Sequence, residues 1–167
     1  WMPHAEGNFG TPSGKCEFYS TSQKEAGGTL LPEYIPVPYS EEERKSYPLQ
    51  LLSVKSTKNF LNSSHANVRH LRKAEGKFRL DIHAQDAQSR GIAEGDQVRV
   101  FNQNGEVLIT ASLSERVRPG IVSIPHGFWK SLVEGGSTAN ALTPDRLTDM
   151  GRGAAFHEAR VEIVKSA

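Results

Sequence analysis

The sequence is most informative at Gln97-Val98-Arg99-Val100-Phe101-Asn102-Gln103-Asn104-Gly105-Glu106-Val107-Leu108-Ile109-Thr110-Ala111-Ser112-Leu113. Apolar and polar residues alternate on both sides of Asn104-Gly105, which is the period of a strand with one buried face. Asn-Gly is favoured in tight hairpin turns because these turns require positive φ angles that both residues adopt readily. We therefore predict a β-hairpin at this stretch.

Short strands are also predicted on either side of the hairpin. Each is a brief apolar or alternating run bounded by turn residues. They are Leu49–Val54, Phe78–Ile82, Ile121–Ile124 and Ala159–Val164. A short helix is expected at Ala84–Arg90, ended by Gly91, since glycine commonly follows the last turn of a helix. This pattern is typical of a mainly β protein, a compact barrel with short helices.

The first 48 residues differ from the rest in composition and show little periodic pattern. Leu31–Pro38 is rich in proline, which favours extended chain, and a short strand is expected at Cys16–Tyr19. We interpret residues 1–48 as a strap that packs on other domains, and 49–167 as the barrel domain. The initial Trp1 suggests a segment cut from a longer protein.

Composition argues against several classes of protein. The net charge of +1 supplies no broad basic field for nucleic acid. No apolar run approaches the roughly 18 residues of a membrane span, and no signal peptide is recognisable. The single Cys16 can form neither an internal disulfide nor an iron–sulfur cluster, and it favours a cytoplasmic location while leaving a periplasmic one open. Neither a protein-built zinc site nor a catalytic nucleophile is indicated.

Polar residues concentrate in two loops that follow predicted strands, residues 55–70 and 126–157. Between Arg44 and Ala74 there is no acidic residue, whereas cations, hydroxyls and amides are frequent. Such donors without competing carboxylates suit a phosphate or a heterocycle. The alternative is a solvated basic helix end, and the residues alone leave both interpretations open.

The second loop contains His126-Gly127-Phe128-Trp129 and then a Gly-rich turn leading to Asn140. Aromatic rings and an amide can stack on a flat ring and bind its edges. Equally, Phe128 and Trp129 could be ordinary core residues, and Asn140 could cap a turn.

In chain order, these segments resemble the C-terminal part of the dimethyl sulfoxide reductase, formate dehydrogenase and nitrate reductase family of molybdopterin oxidoreductases. The similarity covers nearly the whole chain, and it lies in several pieces with consistent spacing. The pieces are Thr11-Pro12-Ser13-Gly14-Lys15, Leu51-Leu52-Ser53-Val54-Lys55-Ser56, Asn62-Ser63-Ser64-His65-Ala66-Asn67, Gly91-Ile92-Ala93-Glu94-Gly95-Asp96-Gln97-Val98, Gly127-Phe128-Trp129 and Asn140-Ala141-Leu142-Thr143.

The resemblance implies a double-psi β-barrel that clasps molybdopterin guanine dinucleotide, in the bis form of the cofactor. Residues after the first strand would contact the pterin and phosphates, and the second loop would line the pterin edge, so that Lys55, Asn140 and the Ser63–His65 loop would face one pocket. The expected cofactor-binding residues are Lys55, Ser56, Thr57, Leu61, Asn62, Ser63, Ser64, His65, His126, Gly127, Trp129, Asn140, Leu142, Thr143, Phe156 and His157.

The resemblance also places the chemistry elsewhere. In the family, the residue that binds molybdenum or tungsten and any iron–sulfur cluster lie upstream of this domain. We therefore expect the isolated chain to be a monomer without turnover, whose partners are the remaining domains of an oxidoreductase. The alternatives are a free-standing barrel that binds RNA through Arg69–Lys73 and Phe128-Trp129, or one that binds a protein.

Overall fold

The computed structural model describes residues 1–56, 58, 62–148 and 151–166. Two compact units are distinguished: Trp1–Val37 with Thr148–Arg152, and Pro38–Leu147 with Gly153–Ala167. In the first unit, α1 (Thr21–Glu25) begins after Ser20, whose side chain accepts a hydrogen bond from the backbone of Gln23. The prediction of a strand at Cys16–Tyr19 is wrong, because those residues form bends and irregular chain.

Three short α-helices lie in the second unit: α2 (Glu41–Ser46), α3 (Arg69–Glu75) and α4 (Ala84–Gln88). α2 begins with a capping box, in which the side chains of Ser40 and Glu43 each accept a hydrogen bond from the other's backbone N–H. Single 3₁₀ turns follow at Lys130–Leu132, Glu134–Gly136 and Ala139–Ala141. No helix in the described part of the chain is long and apolar enough to cross a membrane.

The strands of the second unit form a closed barrel. They are β1 (Leu49–Val54), β2 (Arg79–Ile82), β3 (Gln97–Asn102), β4 (Gly105–Leu113), β5 (Ile121–Pro125) and β6 (Ala159–Lys165). Around the barrel the order is β1, β5, β2, β4, β3 and β6. The predicted hairpin is confirmed, since β3 and β4 pair antiparallel from Gln97 opposite Thr110 to Asn102 opposite Gly105.

Two of the neighbouring pairs are parallel, β1 with β5 and β2 with β4. Each requires a crossover, because parallel strands cannot be joined by a tight turn. Two such pairs within six closed strands form a double-psi β-barrel, so the predicted fold class is confirmed.

The interior of the barrel is filled by the alternate side chains of its strands, as the period of two requires. Leucine, isoleucine and valine from all six strands are buried there, together with residues of α4 and of the last 3₁₀ turn. The largest fully buried side chains are Leu49, Leu51, Leu80, Ile82, Val98, Val100, Val107, Val122, Ile124, Leu142, Val161 and Ile163. The loops at the rim therefore extend from a rigid scaffold.

Asp96 is expected to make barrel stability depend on pH. Hydrogen bonds from the Lys165 ammonium and the Ala93 backbone hold the pKa of its carboxyl below the ordinary value of 3.8. A depressed pKa contributes stability that is present above that ordinary value and is lost as pH falls through the folded value. We expect Asp96→Asn to weaken the dependence of stability on pH below about pH 4, as measured by urea unfolding in acid and at neutrality. Lys165→Met should act in the same direction, and an unchanged pH profile in both variants would contradict the assignment.

Candidate functional site

The residues of the two predicted loops meet around one open cavity of about 710 Å³, here called the loop cavity. Its walls come from the ends of β1 and β5 and from the chain between β5 and β6. The lining residues are Ser53, Asn62, Ser63, His126, Gly127, Phe128, Thr138, Ala139, Asn140, Thr143, Pro144, Asp145, Ala154 and Phe156. Amides, hydroxyls and an imidazole therefore lie beside two aromatic rings.

The parallel pairing of β1 and β5 brings the two loops together. Val54 lies opposite Pro125, so both strands end at the same rim of the barrel. The His126 backbone N–H donates to the Val54 carbonyl at 2.8 Å, and its ring Nδ1 lies 3.3 Å from the Ser53 carbonyl oxygen. Gly127 follows with φ of 96°, in the left-handed region that favours glycine, which turns the chain toward the cavity.

A side-chain hydrogen bond joins the loops directly. Trp129 Nε1 donates to the Ser63 carbonyl at 2.8 Å, while 42% of the Trp129 surface stays exposed. Trp129 is therefore not a core residue, and its ring bridges one loop to the other. Phe128 differs: its ring is partly buried and packs against Phe78 with centroids 5.0 Å apart.

Asn102 anchors the part of the cavity wall that lies between β5 and β6. We did not predict this residue from the sequence. Its amide Nδ2 donates to the carbonyls of Leu142 and Arg160 at 2.8 and 2.9 Å, and its Oδ1 accepts from the Asn104 backbone at 2.9 Å. The side chain is buried. It thereby fixes the loop that carries Asn140. Its position in the sequence could have revealed it, because Asn102 is a polar residue in the inward-facing series that begins with Val98 and Val100.

The predicted site residues between β5 and β6 differ in whether they line the loop cavity. Asn140 is exposed and lines the loop cavity, and Thr143 Oγ1 donates to its carbonyl at 3.1 Å. Leu142 belongs to the core: its side chain is fully buried and its backbone bonds within the protein. Phe156 lines the cavity, whereas His157 is absent from the lining, and its ring packs against that of Phe156 at a tilt of 57° with centroids 4.4 Å apart.

Lys55 does not share the loop cavity with Asn140 and Ser63, contrary to the single pocket that we expected. It lines a smaller cavity of about 350 Å³ together with Lys77, Arg79 and Arg116, and Phe128 borders both spaces. The separation occurs at the end of β1, where Ser53 lines the loop cavity, whereas Val54 and Lys55 line the smaller one. Ser64 and His65 do not line the loop cavity, and Thr57 and Leu61 lie outside the described residues.

Ser56 is unusual among the predicted residues. It is 6% exposed, and its hydroxyl finds no hydrogen-bond partner in the described part of the chain. A buried hydroxyl without a partner costs about 1–3 kcal/mol, so such groups commonly serve a ligand or water. No cluster of three potential metal ligands occurs among the described residues.

Comparison with known proteins identifies the family. The model of the molydopterin dinucleotide binding domain matches residues 49–160, which include all of β1 to β5 and the whole loop cavity. The chain belongs to that family. The family predicted from the sequence is confirmed, and neither RNA binding nor free-standing protein binding is supported.

The relatives of this molybdopterin dinucleotide-binding domain are long oxidoreductases. The chain is 40% identical over 163 residues to the probable oxidoreductase YoaE of Bacillus subtilis, covering 98% of this chain and 23% of that protein. It is 36% identical to dimethyl sulfoxide reductase DmsA of Escherichia coli, covering 93% and 21%. The structure of acetylene hydratase from Pelobacter acetylenicus matches with a TM-score of 0.78 at 26% identity, covering 96% and 25%. The chain thus spans about a quarter or less of these proteins.

Proposed function

We propose that this domain forms one side of the cofactor site of a larger molybdenum or tungsten oxidoreductase, and that it clasps molybdopterin guanine dinucleotide in the loop cavity. The observation that carries the proposal is the joining of two polar loops, through the Trp129–Ser63 hydrogen bond, over one cavity in a domain of this family. The residues there bind and orient, and none is assigned a catalytic role.

The groups that line the loop cavity suit a fused heterocycle. Pterin and guanine carry amino, ring N–H and carbonyl groups on their edges, which pair with amides, hydroxyls and carboxylates. Asn62 and Asn140 supply amides from the two loops, and the exposed Asp145 carboxylate can accept from an amino group. The Phe156 ring, about two-fifths exposed, offers a face for stacking.

The phosphates require a different surface, because no cation lines the loop cavity among the described residues. We assign them to the neighbouring cavity of Lys55, where the four cations Lys55, Lys77, Arg79 and Arg116 outnumber the two carboxylates Glu75 and Asp81. The Ser56 hydroxyl, two residues beyond β1, is buried, lines neither cavity and has no hydrogen-bond partner among the described residues, and in this proposal it donates to a phosphate oxygen. The acid-free loop would thus bind phosphate, although through a separate cavity from Asn140.

When bound, the cofactor supplies the two-electron chemistry of the parent enzyme. The contribution of this chain is to hold the ring edges, neutralise phosphate charge and exclude water from one side. The metal-binding residue and any iron–sulfur cluster belong, in this proposal, to other parts of the full-length protein. The cellular location of the full-length protein and the monomeric state of the isolated domain remain predictions.

Ser56→Ala and Asn140→Ala test the proposal through pterin content. Loss of one hydrogen bond of about 1–1.5 kcal/mol weakens binding roughly 5- to 12-fold. We expect each variant of the full-length protein to lose bound pterin during dialysis several times faster than wild type, as measured by fluorescence of the oxidised pterin. The matched control is Asn67→Ala, an exposed amide of the first loop that does not line the cavity.

Ser56→Ala carries a second, opposite expectation. Since the hydroxyl has no partner within the described residues, its removal should leave the stability of the cofactor-free protein unchanged or slightly raised. Weaker pterin retention with undiminished stability separates ligand binding from folding. Normal retention in both Ser56→Ala and Asn140→Ala would refute the proposed site.

A further inference from the structure

A cavity of about 680 Å³, here called the basic cleft, shares Phe128 with the loop cavity, and Phe128 and Lys77 with the cavity of Lys55; its other lining residues belong to neither. Its rim carries four cations, Arg69, Arg72 and Lys73 from α3 and Lys77 just beyond it. Three cations within one seven-residue helix repel one another, so an anionic occupant would stabilise the cleft.

The chain neutralises these cations only slightly. Glu134 is the sole carboxylate among the described residues that line the basic cleft, and it already accepts from Gln97 Nε2 at 2.9 Å. Glu75, the acidic residue of α3, lines the cavity of Lys55 instead and accepts from the Lys58 backbone at 3.1 Å. The cleft therefore retains an excess of positive charge.

The floor of the basic cleft is apolar, which restricts the kind of occupant. Phe78, Leu132 and Val133 are only partly buried there, and 37% of Leu108 is exposed. A free phosphate would leave this floor in contact with water. An acidic polypeptide segment that also carries apolar side chains satisfies both the rim and the floor.

We propose that the basic cleft receives an acidic, apolar-containing segment from another part of the same full-length polypeptide. This rests on the proposed function in one respect, that the domain belongs to a larger protein. The chain spans 23% of YoaE and 21% of DmsA, so most of the polypeptide in such relatives lies outside this domain. A tethered segment has an effective concentration on the order of millimolar, which favours it over a separate acidic protein.

Zero-length carbodiimide cross-linking of the full-length protein tests the proposal. The reagent joins a lysine amine to a carboxylate only when the two groups are in contact, and Lys73 is the lysine that lines the basic cleft and neither of the other two cavities. We expect mass spectrometry to find Lys73 joined to an Asp or Glu of the same polypeptide outside this domain. The double variant Arg69→Glu/Arg72→Glu keeps Lys73 and should reduce that cross-link at least fivefold.

The matched control reverses two exposed cations that line none of these cavities, Lys45→Glu/Arg118→Glu, and should leave the cross-link unchanged. If charge reversal destabilises the fold, Arg69→Gln/Arg72→Gln provides the milder comparison at the same positions. Cross-links confined to Glu75 or Glu134, links to a different polypeptide, or none at all would overturn the proposal. Hydrogen-exchange protection of α3 that disappears after nuclease treatment would indicate that nucleic acid occupies the cleft, and it would also overturn the proposal.

Pterin content of the same wild-type preparation distinguishes the two proposals. Normal pterin without the cross-link refutes the docked segment alone. The cross-link without pterin refutes the cofactor site alone.

Discussion

Replacing Asn102 by alanine is expected to destabilise the barrel by about 1–3 kcal/mol, because it removes the Nδ2 donor from the part-buried carbonyl of Arg160 and the shorter of two donors from the carbonyl of Leu142, which keeps Asn104 Nδ2 at 3.4 Å. The Asn104 backbone loses its acceptor in the same substitution. The loop that carries Asn140 loses its anchor, so pterin retention should fall more than in Asn140→Ala alone. Urea unfolding of the domain measures the first effect, and dialysis of the full-length protein measures the second.

Gln103→Ala is the control for this substitution. Gln103 is the next residue of the same turn and is exposed, and its side chain bonds only to Glu43 at 3.2 Å within the described contacts. Its removal should cost no more than about 0.5 kcal/mol, as for other exposed polar contacts. Equal costs for Asn102→Ala and Gln103→Ala would show that the anchoring bonds contribute little.

Ile124→Ala is expected to destabilise the domain by about 2–5 kcal/mol, the range for truncating a buried isoleucine. Ile124 is fully buried in β5, opposite Ser53 of β1, two residues before His126. A cavity at this position should also loosen the two loops that begin where β1 and β5 end. The expected result is a lower urea midpoint with an unchanged slope, together with faster exchange of the His126 amide, which donates to Val54.

Ile121→Ala on the same strand is the matched control. Ile121 is only partly buried at the start of β5, so the same chemical change removes less packing and should cost less than half as much. If both variants lose equal stability, the end of β5 at Ile124 is packed no better than the end at Ile121, which would contradict this prediction.

Local pattern was sufficient to predict the strands of the barrel, although not the absence of a strand at Cys16–Tyr19. β1 has the bounds Leu49–Val54 that the sequence indicated, and the predicted hairpin joins β3 to β4. Its turn differs from the expected Asn-Gly turn, because the turn residues are Gln103 and Asn104, Gly105 already belongs to β4, and neither Asn104 nor Gly105 has a positive φ. These features depend on alternation and turn chemistry over a few neighbouring residues. Barrel closure is different, because β1 pairs with β5 and β6 from the far end of the chain. For that arrangement, the resemblance to a family was needed.

The candidate site was predictable in its composition but not in its geometry. Amides, hydroxyls and aromatic rings in two loops could be recognised from residue types alone. Two features could not be recognised in this way. Lys55 lines a different cavity from Ser63 because of the direction in which the chain leaves β1, and Leu142 is buried because of packing inside the barrel. Asn102 escaped notice because its partners, Leu142 and Arg160, are distant in sequence.

The pairing of the first barrel strand has a consequence for the order of assembly. Gln50 lies opposite Ile121, and Leu49 lies opposite Val161, so one edge of β1 stays uncovered until β5 has been synthesised and the other until β6, at the end of the domain. Closing such long loops slows folding, since their entropy is lost before the contacts form. On the ribosome, the rim that begins at Lys55 would be among the last parts to become ordered, and a nucleotide cofactor could be inserted only after β6 has emerged.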